Sequence, residues 1–446
     1  MTQNQALNQR MSIVALTWPI FAEVLLRTAL GTSDVFMLSS YSDKAVSAVG
    51  VITQLTFFLI IISAFVSSGT GILISQYNGA GRSLESSQAG VASVMLSFVI
   101  GAFLSLLAVA GTIWLLPYYG MEAQVAQYAS EYLLITGAMT FNLTISIVLT
   151  TILRSHGYSR SPMVVNFISG ICNVIGNYIA LYQPFGLPVY GVQGVAVATV
   201  ISQVIATLIL CYIVARSDIP LPLPGFRTIP KAIYARILRI GGMNAGEILS
   251  YNLAQICITY FVVQMGTSSL AAFTYAQNIA RFSFAFSLAL GQAAQIQTGY
   301  YVGQGRSEVI LKKVQLYFAA GFLVSMIVTW SVYLFREPLL SLFTHDPGIL
   351  QLTGSLLLIS VFLEAGRVFN LIFISGLKGA GDIKFPVKIG IFSMWGNGVF
   401  LAWLLGIFLG LGVPGAWIGM SADEIIRGFI MMFRWRSKAW MKSARF

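Results

Sequence analysis

Long apolar runs alternate with short polar punctuation along the whole chain. Twelve such runs are read at residues 12–40, 46–76, 88–116, 124–152, 162–183, 191–216, 236–263, 270–301, 312–336, 349–376, 384–410 and 413–436. A hydrocarbon core about 30 Å thick takes roughly 20 mostly apolar residues per helix, and each run is long enough. The pattern predicts an all-α integral membrane protein of twelve transmembrane helices. No intervening stretch is long enough for a soluble domain. The opening MTQNQALNQR lacks the basic region, short apolar core and cleavage site of a signal peptide, so the first helix is expected to stay in the mature protein.

Composition agrees. The chain of 446 residues is 57% hydrophobic and 9% charged, with mean hydropathy +0.80, against about 25% charged in ordinary globular proteins. Cys172, Cys211 and Cys257 fall in apolar runs without paired spacing, which suggests packing residues and neither a disulfide frame nor a zinc site. A net charge of +11 raises nucleic acid as a partner, but the placement of the 26 Lys and Arg speaks against it. They concentrate at one set of helix ends, around Arg82, Arg154, Arg306 and the C-terminal tail, while only Lys44 and Arg336 fall in the opposite loops. Cytoplasmic loops hold such an excess, so both termini are expected inside.

The chain also repeats itself. YNGAGRS at 77–83 recurs as YVGQGRS at 301–307, an offset of 224 that also sets Glu23 on Glu247, Gly157 on Gly381, Pro162 on Pro386 and Asn173 on Asn397. Each half then holds six spans in the same orientation, a parallel repeat of the kind known among secondary transporters. The expected organisation is an N-terminal lobe at 1–215, a cytoplasmic linker at 216–235 rich in proline, and a C-terminal lobe at 236–446. Two such bundles could face a cavity open alternately to either side. An old duplication serving structure alone is the other reading.

Charges within the runs carry the candidate chemistry, because each is costly in a bilayer. Glu23 and Arg27, Glu364 and Arg367, and Glu424 and Arg427 are three or four apart, spacings that allow mutual neutralisation on one helix face. Asp34 differs: Leu30, Gly31, Met37 and Leu38 are its neighbours one turn away. A carboxylate kept from water can exchange its charge for a proton or attract a cation, and one group that holds either but not both couples two fluxes. The alternatives are a partner on another helix or a place in the outer headgroup region. Glu247 lacks a local base and Arg281 a local acid, so a network of Glu247, Arg281, Glu364 and Arg367 is expected, with loss of folded yield in Arg281→Ala. Asn173 and Asn177 share one face of the fifth run, as interhelical glue or as ion ligands.

The ordered set WPIFAEVLLRTALGTSDVFMLS, the repeated GxGRS, LRSHGYSRSP, NVIGNYIAL and GVQGVAVAT resembles the multidrug and toxic compound extrusion (MATE) family over essentially the whole chain, with the DinF-like bacterial branch the nearest in pattern. The resemblance implies a twelve-helix, two-lobe, V-shaped antiporter of the bacterial cytoplasmic membrane. Such proteins expel amphipathic, often cationic compounds in exchange for protons or sodium. It implies Asp34 as the protonation site of the N-terminal lobe, Pro19 as the point where the first helix bends, and Asn173 and Thr199 as members of the same polar cluster. Asn177 stands where many members carry a second aspartate. Arg367 stands where the NorM-like branch carries an aspartate for a cation, and a fixed positive charge repels sodium, so protons are favoured over sodium. In the implied cycle, external protons neutralise Asp34 and release substrate, with Met37 supplying a soft, adaptable cavity wall.

A flippase of lipid-linked saccharides shares this architecture, and Arg27, Arg281 and Arg367 would suit an anionic cargo. A membrane enzyme is disfavoured: His156 and His345 lie in loops without a metal or nucleophile constellation, and no GxxxxGK[ST] occurs. A channel is disfavoured by the twofold repeat. The expected partners are small amphipathic or cationic molecules and membrane lipids, with no nucleic acid, no metal and no cofactor beyond the ion gradient. The chain is expected to act as a monomer.

Overall fold

Helix follows helix in the computed structural model, which describes residues 9–182, 184–186, 188–219 and 229–442. The first half holds α1 (Ile13–Ser39), α2 (Asp43–Gly79), α3 (Ser83–Trp114), α4 (Ala123–Ala138), α5 (Thr140–Ser155), α6 (Arg160–Leu181) and α7 (Gly191–Arg216). The second half holds α8 (Lys231–Gln264), α9 (Thr267–Gly303), α10 (Ser307–Leu334), the short α11 (Arg336–Leu340), α12 (Pro347–Gly379), α13 (Lys384–Phe408) and α14 (Gly412–Arg436). The middle of the expected linker, 220–228, lies outside the described residues.

Among the described residues, nine helices are long and apolar enough to cross a membrane singly, and α4 with α5 make a tenth crossing bent by 49°. The helices α9 and α14 complete the twelve of this integral membrane fold. Both are long, at 37 and 25 residues, but more polar, and α14 buries Asp423, Glu424 and Arg427. Large exposed side chains such as Phe36, Trp114 and Phe392 suit a surface solvated by lipid. Between helices, hydroxyls supply the contacts: Ser63 with Thr144 at 3.0 Å, Ser67 with Thr151 at 2.6 Å and Thr70 with Ser93 at 2.7 Å. Where lipid tails are as apolar as leucine, such bonds and close packing hold helices together.

The chain forms two compact units, Met1–Asn78 with Arg82–Ala245, and Gly79–Gly81 with Gly246–Phe446. The division therefore falls inside α8, whereas the sequence placed it at residue 235. The reason is backbone contact between α2 and the first turns of α8. A side chain at Gly69 would meet the Ile237 carbonyl oxygen at 2.4 Å, and one at Gly241 would meet that of Phe65 at 2.2 Å. Only glycine allows the helices this close.

The repeated GxGRS is a helix stop. Gly81 (φ 69°) and Gly305 (φ 73°) are left-handed, and the next amide folds back in each case, Arg82 to the Tyr77 carbonyl at 2.9 Å and Arg306 to that of Tyr301 at 2.9 Å. This is the glycine-terminated cap that satisfies the last carbonyls of a helix. A second turn repeats likewise, Tyr158 to Leu153 at 2.9 Å and Asp382 to Leu377 at 3.0 Å.

Two spans expected to be continuous are irregular. The fourth breaks at Met139, and the Phe141 amide beyond the break donates to the Ser105 hydroxyl of α3 at 3.0 Å. Within α13, residues Met394–Val399 and Leu404–Phe408 wind as π-helix. The first of these turns contains Asn397 between Gly396 and Gly398.

Candidate functional site

In the first unit, α1, α6 and α7 bring four side chains into one chain of hydrogen bonds. The Asn177 amide donates to Asp34 Oδ1 at 2.8 Å and reaches Asn173 Oδ1 at 3.3 Å. Asn173 donates in turn to the Thr199 hydroxyl at 3.2 Å, and Thr199 donates to the Val195 carbonyl at 2.9 Å. The four-residue spacing of the asparagines puts both on the face of α6 that meets α1 and α7. Asn177 and Asn173 are 1% and 8% exposed, while Asp34 is half-buried. The aspartate is therefore only partly shielded, whereas the two asparagines are enclosed.

One feature of this cluster bears on protons. Asn177 directs its amide hydrogens outward to two acceptors, so its own Oδ1 is buried without a donor. A protonated Asp34 could donate to that oxygen after the amide turns over, which gives the cluster two arrangements distinguished by one proton. Tyr132 of α4 joins the group, interacting with Thr199 and with the charge of Asp34; no sequence spacing pointed to it.

The other site residues fall as follows. Pro19 is buried within α1 and removes an amide donor from that helix. Met37 is 9% exposed and packs in an apolar cluster with Leu38, Ala180, Val192 and Val195, so its place is in the seam between helices rather than on the expected cavity wall. Glu23 was paired by sequence with Arg27, which lies 3.6 Å away with its side chain 71% exposed. Its close partner is Arg154 of α5, which the helix-face rule could not reach.

In the second unit the expected four-residue network does not form. Glu247 pairs with Lys378 of α12 at 2.5 Å, Glu364 with Arg367 at 2.6 Å, and Arg281 is exposed on α9. The 224-residue offset that sets Glu23 on Glu247 also sets Arg154 on Lys378. The repeat thus encodes one buried ion pair twice, and the offset could have found both partners. On α14, Arg427 bridges Asp423 and Glu424 at 2.8 Å each; Asp423 was missed because Glu424 alone accounted for Arg427 by spacing.

Asp34 stands apart from all of these. Among the described residues it makes no ion pair, whereas Glu23, Glu247, Glu364, Asp423 and Glu424 each meet a Lys or Arg.

The MatE family profile matches residues 19–179 and again 245–404, one copy in each half of the repeat. The chain is 37% identical over 434 residues to an uncharacterized transporter, YisQ, of Bacillus subtilis, covering 97% of this chain and 95% of that protein. It is 27% identical over 441 residues to the probable multidrug resistance protein NorM of Thermotoga maritima, covering 98% and 94%. The fold matches the crystal structure of a MATE protein in the bent conformation with a TM-score of 0.90 at 22% identity, covering 97% of this chain and 96% of that one. It matches an outward-facing multidrug resistance MATE transporter of the MOP superfamily with a TM-score of 0.86 at 22% identity, with the same coverage. Taken with the duplicated helical architecture, these matches show that the chain belongs to the MatE family of multi-pass membrane transporters, which are not enzymes.

Proposed function

We propose that this protein is a secondary antiporter of the bacterial cytoplasmic membrane that exports amphipathic, often cationic compounds in exchange for protons. The observation that carries the reading is the isolation of Asp34: it is held by the Asn177 amide and by no base among the described residues. A carboxylate neutralised by arginine has nothing to gain from a proton, but an uncompensated one does. In the proposed cycle the ionised Asp34 favours a cationic substrate, and an external proton displaces it. Return of the proton to the cytoplasm completes alternating access, and both termini lie on the cytoplasmic side. The multidrug resistance names of several relatives support the substrate class. Protons are favoured over sodium because Arg367 presents a guanidinium, which cannot ligate a cation, where the NorM-like branch carries an aspartate.

The test is transport in proteoliposomes with imposed pH or sodium gradients, using ethidium as the cationic probe. A pH gradient should drive uptake by the wild type and not by Asp34→Asn. Undiminished gradient-driven transport by the variant overturns the reading. Export of a lipid-linked saccharide is a second reading, favoured by the exposed Arg27 and Arg281. It predicts that anionic lipid, and not acid, displaces bound probe.

A further inference from the structure

Beyond α14 the chain folds back on the helix it has just left. It turns at Lys438, whose φ of 57° lies in the left-handed region, and enters a 3₁₀ turn, Ala439–Lys442. The Trp435 carbonyl accepts both the Lys438 amide at 3.2 Å and the Trp440 indole at 2.9 Å. The two indoles stack with centroids 4.4 Å apart and planes 6° from parallel, and both are 0% exposed. Trp435 donates in turn to the Leu311 carbonyl of α10 at 3.1 Å. Two buried rings thus hold a lysine in a conformation that favours glycine. The turn is a fixed surface and not a loose tail.

That surface is positive. Residues 434–446 hold Arg434, Arg436, Lys438, Lys442 and Arg445 and no acid. Two of these cations are paired, Arg434 with Asp382 at 2.8 Å and Lys438 with Glu308 at 2.6 Å. Arg434 also lies over the Phe385 ring at 4.7 Å, which fastens the end of α14 to the first turn of α13. Lys384 and Lys388, on that part of α13, are exposed, as are Arg436 and Lys442. Among the described residues none of these four forms an ion pair.

Their neighbours along each helix show what they face. Ile426, Phe429 and Phe433 are exposed on α14, and with Arg436 they follow at intervals of three, four and three, along one helix face. On α13, Lys384, Lys388 and the exposed Phe392 follow at intervals of four. Each stripe is apolar within the span and cationic at its end, and the contacts of Arg434 bring the two cationic ends together. A stripe solvated by lipid tails reaches the headgroups where it ends.

We propose that Arg436, Lys442, Lys384 and Lys388 form a docking surface for the headgroups of anionic phospholipids. The lipid phosphate supplies the negative charge that these four cations lack, and its acyl chains lie along Phe433 and Phe392. Clusters of Lys and Arg beside a membrane helix attract anionic lipid in this way. Bias of basic residues toward cytoplasmic loops acts while a chain is inserted. A docking surface acts on the folded protein and depends on where its side chains are held, which here is the task of the Trp435–Trp440 stack. The apolar stripes turn the four cations toward lipid and away from any anionic cargo. The inference does not rest on Asp34 or on the substrate class.

Native mass spectrometry of the full-length protein, released from detergent containing phosphatidylglycerol or phosphatidylcholine, tests it. The wild type should retain phosphatidylglycerol in preference. The variant carrying Arg436→Gln, Lys442→Gln, Lys384→Gln and Lys388→Gln should bind the tightest phosphatidylglycerol about tenfold or more weakly, with phosphatidylcholine unchanged. All four side chains are exposed, so this variant should fold, and its thermal midpoint in phosphatidylcholine checks that it does. Arg82→Gln with Arg160→Gln, which removes two exposed cations from the first unit, should keep the wild-type preference. Undiminished retention by the fourfold variant overturns the proposal. So does an equal loss in the first-unit variant, which would reduce the effect to net charge. Trp440→Ala keeps every charge and should weaken binding as well; full retention there would overturn the part given to the anchored turn.

Discussion

The Asn177 amide donates to Asp34 at 2.8 Å across the packing of α6 on α1. It is the only polar side chain among the described residues hydrogen-bonded to that carboxylate. A hydrogen bond to a charged group contributes about 1.5–3 kcal/mol, so Asn177→Leu is expected to lower pH-driven ethidium transport by about tenfold or more. Size exclusion checks that the variant folds, since the change takes the donor from both Asp34 and Asn173. Transport within twofold of wild type would remove Asn177 from the mechanism.

Arg154 neutralises Glu23, which is 4% exposed. Arg154→Ala would leave that buried carboxylate with only the exposed Arg27 at 3.6 Å, a loss of up to about 3–5 kcal/mol. Arg27→Ala should cost no more than about 1 kcal/mol, since its side chain is 71% exposed and exposed pairs contribute little. Thermal unfolding of the detergent-solubilised variants separates the two. Glu23→Gln combined with Arg154→Leu should recover most of the loss, because the deficit arises from an unpaired charge.

Arg281 offers the opposite expectation to the one its sequence suggested. Exposed on α9 and outside the pairs of Glu247 and Glu364, it should tolerate Arg281→Ala with a stability change within about 0.5 kcal/mol. Lys378→Ala should instead lower yield, since Lys378 is the partner of Glu247. Fluorescence-detected size exclusion of the two variants ranks them directly.

His156 lies just past the end of α5, outside the span. Its Nδ1 is 2.8 Å from the Ile152 carbonyl oxygen and its Nε2 is 3.5 Å from the Ser86 hydroxyl. Burial of the ring holds its pKa below the ordinary histidine value of 6.5. The folded state thus keeps the ring neutral while the unfolded chain takes up a proton. Stability from this group is complete above about pH 6.5 and is lost as pH falls below it. The thermal midpoint of the wild type should fall on acidification from about pH 7 to about pH 5.5, and His156→Gln should flatten that slope. An unchanged slope would assign the pH dependence elsewhere.

Much of this was legible from the chain. Apolar run length located the helices, and the self-match at 224 residues marked the repeated caps at Gly81 and Gly305, because a helix stop is a local matter of backbone conformation. Spacing found Glu364 with Arg367 and put Asn173 and Asn177 on one face, since i,i+3 and i,i+4 neighbours are fixed by helix geometry. Spacing found Arg27 beside Glu23 but could not reach the closer partner of Glu23 or the partner of Glu247, which lie 131 residues away, and it hid Asp423 behind Glu424.

Sequence by itself determined the class of the molecule, its twelve helices, its duplication and the absence of a base one turn from Asp34. Each of these follows from hydropathy and local periodicity, which act along the chain. Tertiary structure alone decided that Asn177 reaches Asp34, that Glu23 and Glu247 are neutralised by Arg154 and Lys378, and that Met37 packs between helices. It also set Asp423 beside Arg427. The rotation of one helix against another selects which side chains meet, and that angle is fixed by packing across the whole unit.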